Sequence, residues 1–185
     1  MPQILLFVRD NNEVILFVLK TSVLKNKLVL AMRNRLAIYR SPTEIDSLIH
    51  AFQEGSLPRS KWTHEAHLTV ALWYFLLSES EPEAIDAIRN GIKRYNSVQG
   101  IETTKDSGYH ETLTLFWGRI VCRYLAGESH NCSIVHLANG LIAKYAERTL
   151  PWSYYTRDRL MSAAARINWL EPDLRAIELP EVSLK

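Results

Sequence analysis

The sequence predicts an all-α fold: a single domain of about six helices, bundle-like, at residues 41–185, with residues 1–40 set apart as a peripheral N-terminal extension. Three observations carry the prediction. Two capping boxes with proline in the first turn, Ser41-Pro42-Thr43-Glu44 and Ser80-Glu81-Pro82-Glu83, announce helix starts. Apolar residues then recur three and four apart, and Gly55 and Gly127 close two of the resulting stripes. The first forty residues break this pattern with β-like runs. A chain of 185 residues, 47% apolar and 23% charged, is long enough for one domain with a real core.

In the extension, the runs 4–8 and 13–20 flank Asp10-Asn11-Asn12, which reads as a β-hairpin. A further β-like run follows at 27–32. Nothing later in the chain offers a strand partner, and an isolated hairpin is marginal in water. The expectation is that 1–40 stands outside the native fold, with Met32 as an alternative start; a small sheet capping the helical body is the competing reading.

The first helix follows Ser41, with Ile45, Leu48, Ile49 and Phe52 on one stripe and Gly55 as its stop. The second spans about 61–77. Trp62, Ala66, Val70, Trp73 and Leu77 share a face that Leu68, Leu72, Phe75 and Leu76 widen, so this helix is the central one. The third opens at Ser80 and buries Ile85, Ile88, Ile92 and Tyr95; a polar loop occupies 96–108. The fourth runs from about Tyr109 to Ala126, with Leu113, Phe116, Trp117, Ile120 and Tyr124 inward. The fifth covers roughly 133–148, with Val135, Ala138, Leu141, Ile142 and Tyr145 inward. Leu150-Pro151-Trp152 breaks the chain, a sixth helix reaches Ile167, and an extended tail starts at Trp169.

Charge and composition exclude several function classes. Residues 1–40 carry seven Lys/Arg and two acidic residues, a net of +5, which leaves −3 for the rest of a +2 chain. The body has no basic stripe and no nucleic-acid-reading motif, so nucleic acid is not an expected partner. No run of ~20 apolar residues exists to span a membrane. Cys122 and Cys132 make no disulfide framework and are read as reduced, in a cytoplasmic protein. Nothing in the sequence bears on the oligomeric state.

Three polar clusters open helices. His64 and His67 lie three apart on one face, a spacing that can hold a metal, although the zinc-protease pattern needs histidines four apart. Tyr109, His110 and Glu111 open the fourth helix; the simpler explanation is helix-terminal polarity, with Glu111 at the positive end of the dipole. Tyr154, Tyr155, Arg157 and Arg159 open the sixth, as hands for a carboxylate or phosphate or as a solvated basic face with packed rings. If the helices alternate in direction, the second, fourth and sixth start at one end, over a floor of Trp62, Trp117 and Trp152, together with Asn96 and the 96–108 loop. Helix starts favour neutral imidazole and bound anions. Of the other histidines, His50 is expected on the outer side, His130 in a loop, and His136 beside the buried stripe of the fifth helix.

WTHEAHL (62–68), Arg94-Tyr95-Asn96, GYHETLT (108–114) and YYTRDRLMSAAAR (154–166) followed by WLEPDL (169–174) resemble a family of small bacterial proteins with no established activity. The resemblance covers about 45–179 and leaves out the first forty residues. It carries over no catalytic role.

Two functions fit these residues. One is a metal-assisted hydrolase: His64, His67 and His110 hold a divalent metal such as zinc, iron or manganese, with His110 and Glu111 catalytic. Asn96, Tyr109, Tyr155, Arg157 and Arg159 then bind a small anionic substrate. The alternative is a non-catalytic helical module for a small anionic ligand or a partner protein.

Overall fold

The computed structural model describes residues 5–10, 13–18, 37–104, 106–129 and 131–178. The chain divides into two compact units, Met1–Arg40 and Ser41–Lys185. In the first, strands β1 (Leu5–Asp10) and β2 (Glu13–Val18) pair antiparallel, with Leu5 opposite Val18 and Asp10 opposite Glu13. Asn11, Asn12, the 27–32 run and Met32 lie outside the described residues.

The second unit is helical. Helix α1 (Pro42–Glu54) starts where the Ser41 hydroxyl accepts the Glu44 N–H, and ends at Gly55, which turns left-handed at φ 72°. Ile45, Ile49 and Phe52 form its buried stripe. A 3-10 turn, Arg59–Lys61, comes next. Helix α2 (His64–Leu77) therefore begins later than the sequence pattern suggests: the Thr63 hydroxyl accepts the Ala66 N–H and fixes the start. Eight of its residues are buried, from His64 to Phe75, so it has no solvated face over its first three turns. It packs against α1 and against three later helices.

Helix α3 (Glu81–Val98) is capped by the Ser80 hydroxyl. The Glu83 carboxylate reaches back one residue beyond a capping box, to the Glu79 N–H at 2.8 Å. Helix α4 (Glu111–Ala126) is capped by an imidazole, the His110 Nδ1 accepting the Leu113 N–H at 3.3 Å. Helix α5 (Ile134–Tyr145) is capped by Ser133 and stops three residues short of the expected Arg148. These three helices are α2's remaining neighbours.

The break at Leu150-Pro151-Trp152 is a 3-10 turn (Leu150–Ser153), and the expected sixth helix is instead two short helices, α6 (Arg157–Leu160) and α7 (Ala163–Ile167). Ser162 divides them. Its hydroxyl donates to the Arg159 carbonyl at 2.8 Å and accepts the Ala165 N–H at 3.1 Å. It closes one helix and caps the next. Residues 168–178 then run back over α4 and α6: Thr112 Oγ1 donates to the Asn168 carbonyl and accepts the Leu170 N–H, and Arg119 stacks on Trp169 at 4.1 Å. Phe116, Ile120, Tyr154, Tyr155 and Leu160 form the buried cluster beneath this strap. No helix among the described residues is long and apolar enough to cross a membrane.

Candidate functional site

The last two turns of α3, the loop after it, the first turn of α4 and the end of α7 line an open cavity of about 660 Å³. Its polar lining is Lys93, Asn96, Ser97, Glu102, Thr103, Tyr109, Glu111 and Arg166. Local sequence shapes its rim. Gly108 has φ +81°, and a Cβ there would sit 2.6 Å from the Glu102 carbonyl oxygen. Only glycine lets the loop fold back this tightly on itself. Thr103 Oγ1 accepts the Tyr109 N–H, and Arg166 Nη1 donates to the carbonyls of Ser107 and Tyr109.

Glu111 is fully engaged at the base of the cavity. Arg89 Nη2 donates to its Oε1 at 2.6 Å, Arg89 Nε donates to both oxygens at 3.1 Å, and the Tyr109 hydroxyl donates to Oε2 at 2.6 Å. Burial works to raise its pKa, but the Arg89 and Tyr109 hydrogen bonds and the guanidinium charge prevail, and the carboxyl lies below its ordinary range. Burial first, then its bond to Glu111, pushes the Tyr109 phenol up; Arg89's own hydrogen bonds to Glu111 push the guanidinium up. Arg89 also grips Asp86. A carboxylate held this way is a weak base.

The cations facing the cavity are less committed. Lys93 lies over the Tyr109 ring at 4.8 Å and makes no ion pair among the described residues. Arg166 uses Nη1 on the loop, and its Nε and Nη2 carry no hydrogen bond among the described residues.

Among the residues expected from sequence, Asn96, Tyr109 and Glu111 meet at this cavity; the others stand elsewhere. His64 donates from Nε2 to the Tyr145 carbonyl at 2.9 Å and meets the Trp117 ring. His67 donates from Nδ1 to the Thr63 carbonyl at 2.6 Å and lies on Trp62 with ring centres 3.7 Å apart. Burial drives its pKa down to about 4 against the opposing pull of the Thr63 bond, so it is neutral at pH 7. His110 donates from Nε2 to the Leu160 carbonyl and accepts at Nδ1, which leaves it no lone pair for a metal. Burial lowers its pKa as well.

The three histidines are not among the groups of ligand atoms close enough to share an ion; among the described residues the group of three that meets this test is Glu128, Cys132 and His136. The Trp62, Trp117 and Trp152 floor is not assembled either: none of the three lines the cavity, and Trp152 is exposed beside Arg157.

The third cluster serves the strap. Tyr155 is buried and its hydroxyl donates to the Leu170 carbonyl; Arg159 Nε donates to the Glu171 carbonyl at 2.7 Å; Thr156 donates twice to Asp173. Arg157 lies over the exposed Trp152 ring.

The sequence reading missed Arg89, Lys93 and Arg166. Arg89 had a signal: it follows Ile85 by four residues on the buried side of its helix, and a charge there needs a partner. The chain matches no family model, no curated protein and no solved structure.

Proposed function

We propose that the protein is a binding module for a small anionic ligand, a carboxylate or phosphate ester, held in the cavity between α3, α4 and α7. The observation that supports this reading is the pair of cations on the wall, Lys93 and Arg166, with Asn96, Ser97 and Thr103 between them as neutral hydrogen-bonding groups. Of the two carboxylates on the lining, Glu111 is offset by Arg89, and Glu102 counts against one of the two cations. A cavity of about 660 Å³ lies within the usual range of roughly 300–1,000 Å³ for small-molecule sites.

Catalysis by Glu111 and His110 gains no support from this arrangement. The carboxylate has three donor groups' worth of hydrogen bonds, and both imidazole nitrogens are occupied. The test is a panel of small dicarboxylates and phosphate esters screened by thermal shift and then by calorimetry on the full chain. A true ligand at a hundred times its Kd stabilises the fold by about 2.7 kcal/mol. Lys93→Met and Arg166→Lys each weaken that ligand without unfolding the protein. A panel without any shift, or a shift indifferent to both substitutions, overturns the reading.

A further inference from the structure

A second constellation lies apart from the cavity, where α4 hands over to α5. Glu128, Cys132 and His136 follow one another at intervals of four residues. The chain bends into Glu128 and again after it: the Glu128 N–H donates to the Leu125 carbonyl, and the Cys132 N–H donates to the Ser129 carbonyl. Ser133 then caps α5 by accepting the His136 N–H, which places His136 in the first turn. As a result one carboxylate oxygen, the thiol sulfur and one imidazole nitrogen all lie within 4.8 Å of one another.

From these three side chains we infer a zinc site. Zinc takes thiolate at about 2.3 Å and imidazole or carboxylate at about 2.0–2.2 Å, so the donor atoms of a tetrahedral site stand roughly 3.3–3.8 Å apart. The three atoms reach that spacing by contracting at most about 1.5 Å from their 4.8 Å limit. Glu128 and Cys132 are half-buried and His136 is exposed, so small side-chain rotations suffice. The donor set selects the ion. Thiolate and imidazole exclude the hard cations calcium and magnesium, which take oxygen. One thiolate and one carboxylate neutralise a dication, so the filled site carries no net charge. Three protein ligands leave a fourth position for water.

A buried aromatic residue packs next to this group. Tyr124, 4% exposed, sets its hydroxyl against Gly140, which follows His136 by one helical turn on α5. The ring reaches this corner by passing over α5 at Gly140, where a Cβ would stand 2.5 Å from the hydroxyl. Cys122, the other thiol, belongs to a different environment: it is buried in α4 beside Glu81, and burial pushes its pKa up to about 11.

The test uses the full chain without a His-tag, reduced and stripped of metal, titrated first with Co²⁺ and then with Zn²⁺. One equivalent of Co²⁺ should bind per chain with a thiolate-to-cobalt charge-transfer band, and Zn²⁺ should displace it. Cys132→Ser should abolish the band, and His136→Ala and Glu128→Gln should each weaken binding by more than the roughly 10–100-fold typical of a supporting residue. Cys122→Ser should change nothing. Absence of saturable Co²⁺ and Zn²⁺ binding to the wild-type chain, or a band that survives Cys132→Ser, overturns the site.

Discussion

At the scale of single residues, the polar groups at helix starts serve the backbone first. His110 caps α4 with one ring nitrogen and ties down the Leu160 carbonyl with the other. His67 returns its Nδ1 proton to Thr63. This has a pH consequence. An unfolded His67 titrates near 6.5 and the folded one near 4, so between these values the unfolded chain binds more protons. The stability due to neutral His67 is complete above pH 6.5 and is lost as pH falls toward 4, by about 2 kcal/mol after discounting for the ring edge that water reaches. Urea midpoints measured from about pH 7 down to about pH 4 should show this slope, and His67→Gln should flatten it. Glu111 acts lower. Its folded pKa lies below the ordinary 4.5, so its stabilisation is present above that value and disappears as pH falls through the folded pKa. Glu111→Gln should remove this acid limb and, by leaving Arg89 without its carboxylate, cost about 1–3 kcal/mol at neutral pH in the same assay. The sequence shows these residues but not their partners. A histidine at a helix start reads equally as ligand, base or cap until the position of a distant carbonyl such as that of Tyr145 or Leu160 is known.

At the scale of elements, the sequence was most informative where the signal is local. Ser41, Ser80 and Ser133 cap the helices that their side chains announce, and Gly55 stops the first one. It was least informative where two local signals compete. Arg157 to Ile167 reads as one continuous helix because Ala163, Ala164 and Ala165 favour helix, yet Ser162 lies just before them as a stop and a start. Ser162→Ala should cost about 1 kcal/mol, the ordinary value of an N-cap, measured as a loss of urea stability. Thr63→Ala removes the cap of α2 and should cost about the same, with His67 retaining its bond because the acceptor is a backbone carbonyl. Unchanged midpoints in both variants would show that tertiary packing, not capping, sets these boundaries.

At the scale of the whole molecule, the helical architecture follows from apolar periodicity, and the all-α character was legible throughout 41–178. The cavity was legible in part, for a reason of chain distance. Asn96, Tyr109 and Glu111 are joined by one loop, so a local reading brings them together; Arg166 arrives from α7, and no local pattern places it there. The strap 168–178 is likewise a long-range feature. Thr112 serves it as both donor and acceptor, so Thr112→Val leaves the Asn168 carbonyl and the Leu170 N–H without their partner. We expect a loss of about 2–3 kcal/mol and, by hydrogen exchange, faster exchange of the Leu170 amide while the α2 amides keep their protection. Equal loss of protection in α2 would mean that strap and core open as one unit. The strap also orders events in time. Chains emerge from the ribosome N-terminus first, and Phe116 and Tyr155 remain uncovered until Trp169 to Leu174 have cleared the exit tunnel. During that interval a nascent chain shows chaperones an aromatic surface that the finished protein never displays.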